Sequence, residues 1–150
     1  MVYNIQMETN YGGWSLKIYK WEHDTYPTFQ KVLILRDKQE QMLKKFARHF
    51  KVYCPSLSYT IKQGHAGHYT PAYLGPYARI AFGKETTLGT ICHEFAHHLD
   101  TLRHPETKQW HGKSFKRELK KCYTFAKYLS VYEKATVEPV INVSTELSTH

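Results

Sequence analysis

The segment His93-Glu94-Phe95-Ala96-His97 spaces two histidines four residues apart, with a glutamate next to the first. On a helix that spacing sets both imidazoles one turn apart on one face, within reach of a single metal ion. The glutamate then lies beside the ion without ligating it, where it can take a proton from water. HExxH is therefore read as a zinc hydrolase pattern, most often that of a peptidase. A chain with 10 histidines can also produce it by accident. A polar, solvated helix face that happens to carry histidines is the plain alternative, and the neighbouring residues must decide.

Those neighbours predict a helix. Thr86 or Thr87 can cap its N-terminus, since a threonine oxygen accepts from an orphan backbone N–H. Leu88, Ile91, Cys92, Phe95, Leu99 and Leu102 then recur at spacings of three and four, an apolar stripe of helical period. At about 100° per residue, His93, His97 and Asp100 fall on nearly the opposite side, with Glu94 flanking them. His104-Pro105 ends the run, because proline disfavours a helical conformation in the residue before it.

A catalytic zinc needs a third protein ligand and an open position. His111 is the best candidate. Phe115, Leu119, Cys122, Ala126 and Leu129 form a second helical stripe, and His111 lies one turn before Phe115 on that line. Asp100 competes for the role, but it is only one turn beyond His97. It reads better as an acceptor for a ligand imidazole N–H, or as an anchor for the following loop. His98 sits off the ligand face. His104 at the helix end, and His65 and His68 in a Gly-rich stretch, read as surface histidines.

HEFAHHLD followed by WHGKSFKREL resembles the SprT-like domain, the zincin fold of bacterial SprT-type proteins and the DNA-repair protease Spartan. The resemblance spans about residues 30–130 and rests on the two helical motifs. It implies His93, His97 and His111 as Zn2+ ligands and Glu94 as general base. Tyr77-Ala78-Arg79-Ile80-Ala81-Phe82-Gly83 looks like the strand that precedes the active-site helix in that family. Many members also carry a C-terminal zinc ribbon, and no CxxC pair occurs here.

The other elements follow from pattern. Trp14 to Ile18 alternates like a half-buried strand, and Leu35 to Phe50 reads as a helix with Leu35, Met42, Leu43, Phe46 and Phe50 on its apolar side. Leu57 to Ile61 alternates as a strand, Gly64 to Pro76 reads as a loop, and Tyr77 to Gly83 as a strand. That last strand is either a free edge able to pair a peptide or a fully paired inner strand. The expected architecture is a small α+β, zincin-like single domain over residues 1–134, with a short sheet packed on helices. Residues 135–150, with Pro139 and several Ser and Thr, read as a loosely attached tail.

A chain of 150 residues, 41% hydrophobic and 15% aromatic, suits one folded domain and argues against disorder. Cys54, Cys92 and Cys122 have no metal spacing, and an odd, sparse count suits a reducing compartment. MVYNIQMETNYGG lacks a basic-then-apolar signal and no apolar run reaches membrane-spanning length, so a cytoplasmic, membrane-free protein is expected. The net charge of +8 is uneven, with nine Lys and Arg against three Glu between Arg103 and Lys134. Lys113, Lys116, Arg117, Lys120 and Lys127 fall opposite the Phe115–Leu129 stripe. They form either a solvated face or one that holds a DNA backbone.

The leading function is therefore a zinc peptidase acting on proteins or peptides, including proteins met on DNA. Its oxyanion donor would be a tyrosine or Arg79. One alternative is a zinc-stabilised nucleic-acid-binding or interaction protein with little turnover; another is a zinc hydrolase of phosphoesters or other non-peptide bonds.

Overall fold

Thr87 ends one strand and starts the central helix with no loop between them. The structure, a computed structural model, describes residues 13–61, 66–74, 77–106 and 110–136. Its elements in chain order are α1 (Gly13–Thr25), β1 (Leu33–Leu35), α2 (Arg36–Phe50), β2 (Ser56–Ser58), β3 (Gly67–Thr70), β4 (Arg79–Phe82), β5 (Glu85–Thr87), α3 (Leu88–Arg103) and α4 (Lys113–Thr136). The fold is α+β, as expected. Short 3-10 turns at Thr28–Gln30 and Ala72–Leu74 join these elements.

Helix α3 forms where its sequence signals stand. The Thr87 hydroxyl accepts from the Thr90 amide at 3.0 Å, satisfying one orphan N–H. Leu88, Ile91, Cys92, Phe95 and Leu99 are buried, whereas Leu102 is exposed near the end of the stripe. His104 follows Arg103 as C-cap, immediately ahead of Pro105. Phe115, Leu119, Cys122 and Ala126 of α4 are fully buried, and α4 is the main packing partner of α3. On the other side Leu43 and Phe46 of α2 close the core against Phe95 and Phe125. Each such side chain contributes roughly 1.5–3 kcal/mol on burial.

Two small sheets flank this helical core. β1 and β5 pair antiparallel, with Ile34 opposite Thr86. The second sheet has the order β2-β4-β3, parallel between β2 and β4 and antiparallel between β4 and β3. Buried Gln39 ties the two sheets to α2, its amide donating to the Ile34, Gly83 and Lys84 carbonyls.

Several expectations need correction. Trp14–Ile18 is not a strand but the first half of α1. Five alternating residues cannot separate the two periods, and the helical one appears only when Ile18, Trp21, Glu22 and Tyr26 are read together. The Gly64–Pro76 loop contains strand β3, and the expected Leu57–Ile61 strand is the shorter Ser56–Ser58. The strand within Tyr77–Gly83 runs Arg79–Phe82 and is the inner one of its sheet, paired on both sides, so among the described residues the edge strands are β2 and β3. Leu35 closes β1 as an exposed residue rather than joining the apolar side of α2. α4 continues to Thr136, two residues into the expected tail, the rest of which lies outside the described residues. No helix among the described residues is long and apolar enough to cross a membrane.

Replacing Thr87 tests the helix start directly. Thr87→Ala should lower the unfolding free energy by about 1 kcal/mol, and Thr87→Ser should restore most of it in denaturant titrations.

Candidate metal centre

Helix α3 supplies His93 and His97 from successive turns, and His111 enters from the turn just ahead of α4. The His111 Nε2 atom lies 3.1 Å from His93 Nε2 and 3.1 Å from His97 Nε2. Each of the three residues is buried, and together they form the group of three able to hold a metal ion among the described residues. Phe115 lies against all three rings, 4.3 Å from the His97 centroid, 5.0 Å from that of His111 and 5.1 Å from that of His93. That contact makes the second apolar stripe the seat of the cluster.

The donor set fits a tetrahedral ion. Zinc–imidazole bonds of about 2.0–2.1 Å at tetrahedral angles separate ligand nitrogens by about 3.3 Å, close to the two spacings to His111. Three neutral imidazoles alone satisfy one another poorly. His93 donates its Nδ1 proton to Glu22 Oε2 at 2.7 Å, so its Nε2 presents a lone pair. A single proton on His111 Nε2 cannot then serve both neighbours well, whereas a cation serves all three lone pairs. Burial, followed by the adjoining imidazoles, holds His97 well below the ordinary histidine range. Burial and then His93 push His111 down to about 2. Both are thus held neutral, the state a metal requires.

Glu94 is buried on the ligand helix, and burial raises its carboxyl to about 7 against the opposing pull of His93. Its side chain abuts the backbone of Gly67 on β3. A Cβ built on Gly67 would lie 3.0 Å from Glu94 Cγ and 2.9 Å from Thr90 Cγ2. Glycine is therefore needed to let the edge strand come this close to Glu94.

Asp100 is buried, which raises its carboxyl, and Ser114 and His104 beside it oppose that shift. Its Oδ1, the Ser114 Oγ and the His97 Nδ1 are buried without hydrogen-bond partners, so His97 does not make the bond expected between Asp100 and a ligand imidazole. The outer carboxylate comes instead from Glu22 of α1. Sequence reading missed it because α1 was read as a strand; the signal was an acid one turn after Ile18 amid Tyr19, Trp21 and Tyr26. Tyr19 stacks on His93 at 4.9 Å, and Trp110 stacks on His97 at 4.4 Å, neither of which was expected.

The other histidines fall elsewhere. His98 is fully buried off the ligand face, bridging the Tyr69 hydroxyl and the Tyr53 carbonyl at 3.0 Å each. His104 is half-buried against Glu118 rather than free at the surface. His68 is exposed but belongs to β3, and His65 lies outside the described residues. Arg79 shares the outward face of its sheet with Thr70 and lines a cleft of about 300 Å³ with Ser58 and His68. Gly67 and Tyr69 point the other way, towards α3, so Arg79 does not face the cluster. Compared with protein-family models, curated proteins and solved structures, the chain matches none of them.

The cluster should take up one divalent ion per chain. Elemental analysis of His111→Ala should find retention sharply reduced, with Asp100→Ala near wild type. The reverse pattern would move the third ligand to Asp100.

Proposed function

We propose that this protein is a zinc-dependent peptidase of the SprT-like kind. The observation that carries the reading is Glu94. It is buried beside two of three convergent histidines and packs against the closest backbone of an edge strand. A metal site that serves only folding has no use for a carboxylate held there unligated.

His93, His97 and His111 would hold the ion. Zinc bound there would supply Lewis acidity and lower the pKa of water towards about 7. The residues of the chain divide the remaining work. The edge strand β3 lies beside Glu94 and would receive an extended backbone by hydrogen bonds, which brings a scissile amide over the cluster. Glu94 accepts the proton of the attacking water and returns it to the leaving amine. Trp110, stacked on His97 and exposed, would line one side of the approach with apolar surface. The edge strand beside Glu94 is the feature that favours peptide over phosphoester substrates.

The basic face of α4 supports a nucleic-acid partner for the same enzyme. Lys113, Arg117, Lys120 and Lys127 are exposed, and Lys116 and Lys120 extend over the ring of Trp21 at 4.6 and 5.9 Å. The face therefore continues from α4 onto α1, where Lys17 and Lys20 are exposed as well. Such a surface suits a phosphate backbone, which would gather substrate proteins near the site.

Glu94→Gln keeps the shape of the side chain but cannot accept a proton at neutral pH. It should retain zinc and lose on the order of 10²–10⁴-fold in peptide hydrolysis. Undiminished turnover in a zinc-loaded preparation would remove Glu94 from the mechanism.

Binding to single-stranded DNA should weaken steeply between low and physiological salt as counterions are released. Reversing Lys116, Arg117 and Lys120 to Glu should flatten that dependence at constant zinc content. Absence of binding even at low salt would leave a solvated face.

A further inference from the structure

Glu22 is a buried acid whose basic partner is the imidazole of His93. It is 3% exposed. Its Oε2 meets His93 Nδ1 at 2.7 Å, and its Oε1 accepts the Tyr123 hydroxyl at 2.6 Å. Tyr123 in turn accepts from the Gln30 amide at 2.9 Å, and Gln30 also donates to the Tyr26 carbonyl. Gly89 makes room for this arrangement, since a Cβ there would overlap the Gln30 amide. Neither Lys nor Arg pairs with Glu22 among the described residues.

A buried carboxylate is costly unless charge compensates it. The tyrosine is neutral, and burial together with the Glu22 charge raises its hydroxyl far above the ordinary range. The other partner is the imidazole of His93, whose far nitrogen belongs to the metal cluster. A cation on that nitrogen polarises the ring and compensates Glu22 through it.

Among the described residues the inward contacts of α1 include Ile18, Glu22, the Tyr19 ring over His93 and His111, and Trp21 under Lys116. Lys20, Asp24 and Thr25 are exposed. Two of these contacts, those of Glu22 and Tyr19, rest on metal-site histidines. The Tyr26–Tyr123 stack, 4.0 Å between centroids, fixes the chain just past the helix and serves as its hinge.

We infer that α1 is a cover whose docking is coupled to metal occupancy through Glu22, with Glu22 acting as a positioning residue for His93. The inference rests on the reading that the three histidines hold a metal. Occupancy favours the docked helix, and by linkage the docked helix tightens the metal by the same factor. Loss of the ion removes that polarisation of His93 and weakens its hydrogen bond to Glu22, which loosens α1 and opens the cluster from the His93 side.

The test uses the full-length protein, with zinc and with a chelator in excess. Competition against a chromogenic chelator should find zinc held about 10–100-fold more weakly by Glu22→Gln than by wild type. Amide hydrogen exchange should slow over residues 17–25 when wild type is loaded with zinc, while residues 91–99 change far less. Glu22→Gln should lose that zinc-dependent slowing even at saturating metal. Equal zinc affinity in wild type and Glu22→Gln would overturn the inference while leaving the metal centre standing. So would exchange over residues 17–25 that ignores zinc in wild type, a measurement that needs no variant to fold. A wild-type protein that takes up no zinc would overturn the centre and the inference together.

Discussion

Two imidazole nitrogens, of His93 and His97, held at 3.1 Å from a third on His111 are the constraint around which this chain is arranged. Neutral rings do not gather at that distance unaided. They are pressed together by the apolar seam between α3 and α4, and Phe115 is the side chain through which the pressure acts. Its ring touches all three histidines and is itself fully buried. Core and site are thus not separate layers. The stripe that stabilises the helix pair also sets the spacing of the ligands, so packing energy is converted into preorganisation.

The same seam is braced by polar contacts at its far end. Buried Glu118 of α4 receives Arg103 at 2.9 Å and His104 at 3.2 Å, both from the end of α3. These contacts lock the turn carrying Trp110 and His111 against the helix that carries the other two ligands. They explain why a ligand 14 positions downstream returns to the cluster with its ring correctly presented.

What the sequence made legible was whatever had a long enough period. The apolar stripes of α3 and α4 run four or five turns, so their burial and the convergence of His93, His97 and His111 followed from spacing alone. The Thr87 cap and the stop before Pro105 were equally plain, because each is a local chemical event. Short elements were not legible. Trp14–Ile18 alternates yet is helical, and with it went Glu22, whose role depends on a partner 71 positions away. Gly67 was read as a loop residue, although its glycine serves a close approach to Glu94 within a strand. Burial at Ala81 arises on the outward face of an inner strand, and alternation cannot distinguish that placement from a free edge.

The absence of any loop between β5 and α3 has a mechanical meaning. Strand register there acts as an indexing pin for the rotation of the helix. Ile34 opposite Thr86, together with the Leu88 amide on the Val32 carbonyl at 2.8 Å, fixes the angle at which α3 leaves the sheet. One residue more or fewer at the junction would turn the helix by about 100° and carry His93 out of the cluster. Chain length at this point is therefore set as tightly as the identity of the ligands, and a tolerant hinge here would have left HExxH intact in sequence and useless in space.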